Sequence, residues 1–359
     1  ILSICLLLNL SCAKDFLDKQ PLSQLNSEVF YKTEEDALKA ILACYSTLQV
    51  PFFYGRSIPY IAELASDDAN HKNTSNPLDI FNWTENSINE SEKFSDLWKQ
   101  CYEGVYRCNL VLDYVDLNRK DGKPAIKFSI EADRSAMLAE ARFLRGLYYW
   151  HLAAYWGDVP IILDVKDDVE KLNIPTSPEK EVYAQIIDDL QKAEADLPTA
   201  WSTENGGRAT KYACKALLGK AYIFNQQWDL AIPKLKEVVT DGGYTLLPKF
   251  RDIFSRTNEL NSESIFEIQF GEIGPWPPWN PFISDIGIGG EGDFRDLIMA
   301  PQNVGGQTGF GEIIAEKDLV EEYEYFDSRL RETVHYPVSY THLRAHETKA
   351  NLVCRLLLE

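Results

Sequence analysis

Two tryptophans three residues apart in a proline-rich run, Gly274-Pro275-Trp276-Pro277-Pro278-Trp279-Asn280-Pro281, are the side chains in this sequence best suited to surface recognition. Proline biases the run to polyproline II, with three residues per turn and a rise of about 3.1 Å per residue, so Trp276 and Trp279 project to one side roughly 9 Å apart. Two flat rings at that separation make a stacking platform, and Asn280 adds a donor and an acceptor beside them. The same run also fits a hydrophobic loop packed on a scaffold or on a partner. A second cluster, Ser66-Asp67-Asp68-Ala69-Asn70-His71 followed by Phe81-Asn82-Trp83, offers short polar side chains that orient hydroxyl groups, with Trp83 as a further ring. Asp67, Asp68 and Asn70 are also oxygen donors for calcium, but their spacing matches no calcium-loop signature. A turn and helix-cap cluster accounts for them as well.

These groups need elements to hold them. The chain has 359 residues, 45% hydrophobic and 25% charged, which is globular composition. Its 36 basic and 55 acidic side chains leave a net charge of −19. A nucleic-acid partner needs a basic footprint, so that class is excluded. Helical patterning dominates from residue 27 to about 240. Thr33 caps a first helix with Glu34, Glu35 and Asp36 in its opening turn and Ala37, Ile41, Cys44, Tyr45 and Leu48 on one face. A second carries Phe94, Leu97, Trp98, Cys101, Val105, Cys108 and Leu112 at steps of three and four. A third, from about Glu131 to His151, is apolar over most of its circumference and should be central. Gly157-Asp158-Val159-Pro160 stops it. A fourth runs from Glu179 to Leu197.

Two helices follow in tight succession, Ala209 to Asn225 and Trp228 to Thr240. Leu218-Gly219-Lys220-Ala221-Tyr222, a short turn, then Trp228 and Ala231 is close to a tetratricopeptide (TPR) hairpin. Ala213, Ala216, Gly219 and Ala221 allow close approach, and Pro233 falls in the first turns of the second helix, where a missing N–H is best tolerated. The pairs 131–156 with 178–197 and 208–225 with 228–240 stack as two irregular repeats. Trp98, Trp150 and Trp228 lie at core spacing. Arg142 and Arg145 read as ion-pair partners within the scaffold. Cys44, Cys101, Cys108 and Cys214 read as buried free thiols, since Cys101 and Cys108 stand about 10 Å apart along a helix. Beyond 241 the texture changes. Ser264 to Phe270 alternates with period two and predicts a strand. Gly and Pro then dominate to about Gly311, a stretch long enough to be functional surface. Lys317 to Arg329 reads as a last helix.

The ends read differently. Residues 1–11 form an apolar run too short to span a bilayer, and Leu8-Asn9-Leu10-Ser11-Cys12 resembles a bacterial lipobox with its leucine one place early. In that reading 1–11 is a signal segment with an incomplete start and Cys12 the lipidated first residue; the alternative is a buried apolar segment. Residues 338–359 resemble translated adapter sequence and are set aside as a non-native tail.

An ordered set of features resembles the SusD/RagB family of outer-membrane nutrient-binding lipoproteins. It comprises Cys12 with Asp15-Phe16-Leu17-Asp18 and Pro21, Thr33 to Ala37 with Tyr45, and Trp98, Tyr102 and Asn109. It continues with Ala139 to Arg145, Tyr155 to Pro160, Pro178 to Tyr183, Asp188-Asp189-Leu190, Gly207 to Thr210, Asn261 to Phe270, and Phe326 to Arg329. The resemblance implies a mainly α fold: TPR-like helical hairpins forming a right-handed scaffold, packed against a loop-rich second part with few short strands. It divides the chain into a helical domain at 12–240 and the truncated beginning of a C-terminal domain at 241–337. It implies a lipid anchor in the outer membrane facing the cell exterior. It further implies capture of a polysaccharide or oligosaccharide and delivery to a TonB-dependent (SusC-like) transporter. On that reading Trp276, Trp279, Asn280, Asp67, Asn70 and Trp83 contact the glycan, no catalytic residue is needed, and no cofactor is expected beyond the calcium alternative. Two other classes compete: an all-helical glycoside hydrolase or lyase, for which no defensible carboxylate pair stands in an aromatic cleft motif, and a TPR-type protein-interaction scaffold.

Overall fold

A computed structural model describes residues 30–70, 92–165, 173–255, 257–270, 313–324 and 327–333. Helix α1 (Glu34–Gln49) begins where Thr33 Oγ1 accepts from the Asp36 N–H at 3.2 Å and Asp36 Oδ2 accepts from the Thr33 N–H at 2.9 Å. That reciprocal box satisfies donors which the first turn leaves free. A π-helical turn, Pro51–Gly55, follows, then the short helix α2 (Ser57–Leu64), which buries Tyr60, Ile61 and Leu64. The sequence pattern missed α2 because Pro51, Gly55 and Pro59 punctuate it. Helices α3 (Glu92–Val115) and α4 (Glu131–Trp156) are the longest. α4 buries residues around its whole girth, including Met137, Phe143, Tyr148 and Leu152, as its apolar circumference requires.

Gly157, at φ +69°, closes α4 in a conformation that glycine adopts without strain. Asp158 Oδ1 then accepts from the Glu179 N–H at 2.8 Å, tying the stop of one helix to the start of α5 (Glu179–Asp196). Thr210 caps α6 (Lys211–Phe224), which turns directly into α7 (Trp228–Asp241). The helices pack in chain order, α1 on α3, α3 on α4, α4 on α5, α5 on α6 and α6 on α7, giving the stacked hairpins the sequence implied. At Gly219 any Cβ would fall 2.5 Å from Leu235 Cδ2, so glycine is what lets α6 and α7 close. Pro233 sits at the sixth position of α7, in its second turn and within the first turns expected, where it removes one helical hydrogen bond.

The loop-rich part departs further. Residues 264–270 bend at Ile265 and Phe266 and belong to no ladder among the described residues, because alternation specifies a face and not a partner strand. The described ladder is instead two residues long on each side. It joins β1 (Ala69–Asn70) antiparallel to β2 (Ile314–Ala315), with Ala69 opposite Ala315. The last helix, predicted over Lys317 to Arg329, stops early as α8 (Lys317–Glu322), and a separate short helix, α9 (Leu330–Thr333), begins beyond the predicted range. Glu321, Glu322 and Glu324 crowd the end of α8, where the helix dipole disfavours acids.

Candidate functional site

The scaffold's buried charges are spent on structure. On α4, Arg145 donates from Nε and Nη2 to the two oxygens of Asp189 at 2.8 and 2.6 Å and from Nη1 to Asn109 Oδ1 at 2.8 Å. Asn109 passes its own amide to the Ile162 carbonyl at 3.0 Å. A second network centres on Glu140, fully buried, which accepts from Arg208 Nε at 2.9 Å and from the Tyr45 hydroxyl at 2.7 Å. Burial holds the Glu140 carboxyl above its ordinary range, against the pull of Arg208. Arg145 thus plays the structural part expected of it. Arg142 does not: it is half-buried and makes no ion pair among the described residues. The four cysteines Cys44, Cys101, Cys108 and Cys214 are buried and free, as predicted.

Of the predicted ligand residues, the structure places Asp67 and Asn70; Trp83, Trp276, Trp279, Asn280 and the lipidation candidate Cys12 lie outside the described residues. Asp67 and Asn70 share one corner. Beyond α2 the chain reverses through Ser66, whose N–H and hydroxyl both donate to the Glu63 carbonyl, at 3.2 and 2.7 Å. The Asp68 N–H returns to Ser66 Oγ at 3.2 Å, and the Asp68 carbonyl accepts from the Glu316 N–H at 2.7 Å. Asp67 is left exposed, and Asn70 lies half-buried on β1 opposite Ile314. Among the described residues no group of three or more His, Cys, Asp or Glu side chains is arranged to hold a metal ion.

Sequence reasoning passed over Glu63, whose backbone carbonyl anchors the Ser66 turn of that corner. It is only 9% exposed, and its carboxyl makes no hydrogen bond or ion pair among the described residues. Burial, reinforced by the charge of Asp68, pushes it up to about 7. The available signal was a lone acid in an otherwise apolar octet, Ser57-Ile-Pro-Tyr-Ile-Ala-Glu-Leu64.

Two cavities lie elsewhere. A groove of about 460 Å³ runs between α1 and residues 266–269, lined by Leu42, Ser46, Gln49, Phe266 and Gln269. There the Gln49 amide donates to the Gln269 carbonyl, while Gln269 Nε2 is buried without a partner. A shallower hollow of about 400 Å³ opens over α5, α6 and α7, between Glu194, Lys211, Tyr222 and Lys234. Neither is lined by Asp67 or Asn70. Of the helical tryptophans, Trp98 packs tilted on Tyr102 and edge-on to Trp156, and Trp150 packs edge-on to His151 and Phe224. Trp228 departs from its core reading: it is 55% exposed at the first position of α7, where none of the described elements covers it. His151 bonds the Tyr54 hydroxyl at 2.7 Å, and burial lowers it to about 3, so it stays neutral and is no acid or base at ordinary pH.

With this geometry in hand, the likeness to known proteins is specific. Residues 15–223 match the SusD-like family model described as starch-binding, associating with the outer membrane. The chain is 28% identical over 318 residues to SusD-like protein P25 of Formosa agariphila, covering 84% of this chain and 58% of that protein. It is 24% identical over 343 residues to a SusD-like protein of Bacteroides ovatus, covering 92% and 58%. The chain therefore spans about three fifths of the length of these relatives. Among solved structures it resembles surface glycan-binding protein A of Bacteroides thetaiotaomicron in complex with laminarihexaose, with a TM-score of 0.70 at 22% identity, covering 84% of this chain and 63% of that one. A laminarin-binding SusD-like protein gives a TM-score of 0.70 at 24% identity, covering 81% and 64%. At these identities the two structures speak for the fold.

Proposed function

The chain belongs to the SusD-like family of starch-binding, outer-membrane-associated proteins, and from that premise we propose that it binds a glycan at the cell surface without cleaving it. The observation that carries the reading is the family match across residues 15–223. The likeness to the fold of a protein solved with laminarihexaose supports it. A neutral glycan presents C–H faces and hydroxyls, so its site needs rings and short polar side chains. Asp67 and Asn70 at the α2–β1 corner, Trp83 later in the same stretch of sequence, and Trp276, Trp279 and Asn280 in the proline-rich run are the side chains of those types. In the full reading Cys12 carries the lipid anchor in the outer leaflet, and the bound glycan passes to a TonB-dependent transporter of the SusC type.

The test is a binding screen of the purified polypeptide against soluble plant, host and microbial polysaccharides, starting with laminarin, by affinity electrophoresis and calorimetry. Saturable binding without release of reducing ends is expected. The double variant Trp276→Ala/Trp279→Ala should lose it by at least about tenfold, two stacking rings being removed. Release of reducing ends would make the protein an enzyme, and silence toward every polysaccharide would refute the reading. Unchanged affinity in the double variant would move the site away from those rings.

A further inference from the structure

The groove between α1 and residues 266–269 contains one polar group that the fold leaves unanswered. Gln269 lines the groove, and its side-chain Nε2 is buried without a partner among the described residues. The Gln49 amide donates to the backbone carbonyl of Gln269 and leaves the side chain unmatched. A buried amide donor is ordinarily paired, and a stranded one costs stability. The stem of Gln269 crosses Gly207, where a Cβ would fall 2.9 Å from Gln269 Cγ. Gly207 stands at φ +84°, so glycine both permits the turn and leaves room for that stem. The fold thus makes a place for a donor that it does not itself satisfy.

The charges in the lining already have their partners. Lys39 pairs with Glu35 at 2.7 Å, and Arg208 donates to Glu140 and Asn205, each at 2.9 Å. Glu267 accepts from the Leu260 N–H and the Ser264 hydroxyl, each at 2.9 Å. An ion would therefore gain little here, and an alkyl chain would leave Gln269 stranded. The ligand that fits is neutral, with an acceptor oxygen and an apolar face. Leu42, 47% exposed, and Phe266, set edge-on to Phe143 at 5.2 Å, supply the apolar surface. A sugar ring presents a C–H face and hydroxyls together. The volume of about 460 Å³ is that of an ordinary small-molecule site. Resting on the glycan reading above, we propose that this groove is a second sugar-binding site, separate from the α2–β1 corner, in which Gln269 Nε2 donates to an oxygen of a neutral sugar seated against Leu42 and Phe266. The last torsion of glutamine is soft, so the carboxamide turns to the ligand at small cost.

The experiment uses the full chain and laminarihexaose, with the best binder from the polysaccharide screen as a second probe, by calorimetry. Wild type should show two classes of site, and Trp276→Ala/Trp279→Ala should keep the weaker one. In that background Leu42→Trp should abolish the remaining binding, because it fills the groove from an exposed position. Gln269→Met keeps the stem over Gly207 and removes the amide. It should weaken the remaining binding by about three- to tenfold, the order of one neutral hydrogen bond. Thermal melts separate this role from packing: without sugar, Gln269→Met should melt level with wild type or higher, since no donor is stranded. A lower melt together with lost binding would make Gln269 a packing residue and overturn the assignment. Unchanged binding in both Leu42→Trp and Gln269→Met would overturn it too, while leaving glycan binding elsewhere on the protein intact. Failure of wild type to bind any probe overturns both readings. A Leu42→Trp variant that binds sugar as before but changes its mass in sedimentation would give the groove to a second copy of the chain instead.

Discussion

The stacked helices and the α2–β1 corner treat buried charge in opposite ways. In the stack, Asp189 at 1% exposure takes two hydrogen bonds from Arg145, and Glu140 at 0% takes Arg208 and the Tyr45 hydroxyl. In the corner, Glu63 is 9% exposed, and its carboxyl has no hydrogen-bond or ion-pair partner among the described residues, with the charge of Asp68 nearby. The first region is built so that every element supports its neighbour, and the second carries a local cost. Such costs collect where a ligand, and not the fold, completes the bonding. The contrast teaches where to look: a charge inside the repeat is architecture, and a charge left wanting at a loop beside the repeat is a candidate contact.

The largest effect should come from breaking architecture. Asp189→Ala leaves Arg145, 7% exposed, without its two strongest acceptors. Removing one partner of such a pair costs about 3–5 kcal/mol. Urea denaturation should register it as a fall in midpoint, and the double variant Arg145→Met/Asp189→Leu should recover most of the loss because no charge is stranded. A loss below about 1 kcal/mol would erase the distinction drawn between the two regions.

A somewhat smaller effect is expected at Gly104 on α3. A Cβ there would overlap the Tyr148 ring, whose hydroxyl donates to the Cys44 carbonyl at 2.6 Å. The ring is fully buried and bonded, so it cannot swing aside. Gly104→Ala should therefore destabilise by about 1–3 kcal/mol, overpacking outweighing the helix propensity that alanine gains. A stabilised Gly104→Ala variant would show that α1, α3 and α4 meet less tightly than described.

The sequence spelled out the stack far better than the corner, and the reason is physical. A helix needs only its own residues to declare its period, so the long helices, the Thr33 cap and the Gly157 stop were all legible. The repeat pairing followed from short connections and from Gly219. A strand needs a partner that sequence does not name, which is why 264–270 was misjudged and why β1 with β2, separated by most of the chain, was not foreseen. Helix α2 was hidden by its prolines. At the site, Asp67 and Asn70 were found because short polar residues between apolar runs advertise a turn. Glu63 was not, because the meaning of an acid depends on whether tertiary neighbours answer its charge.

The smallest expected effect tests the one tryptophan that periodicity misplaced. Trp228 continues the spacing of a core stripe with Ile232, Leu235 and Val239, yet Trp228, Ile232 and Val239 are 55%, 66% and 77% exposed. α7 is held chiefly by Ala231, Val238 and the Leu235 contact at Gly219. Spacing alone would predict a loss of about 3–5 kcal/mol for Trp228→Ala, the ordinary price of emptying a core site. The observed exposure instead predicts a change within about 0.5 kcal/mol, as for a surface position. Wild type and variant differ by one fluorophore, so melts should be followed by circular dichroism at 222 nm. A large loss would mean that this face of α7 is covered in solution, and the exposed stripe would then belong with the architecture of the stack.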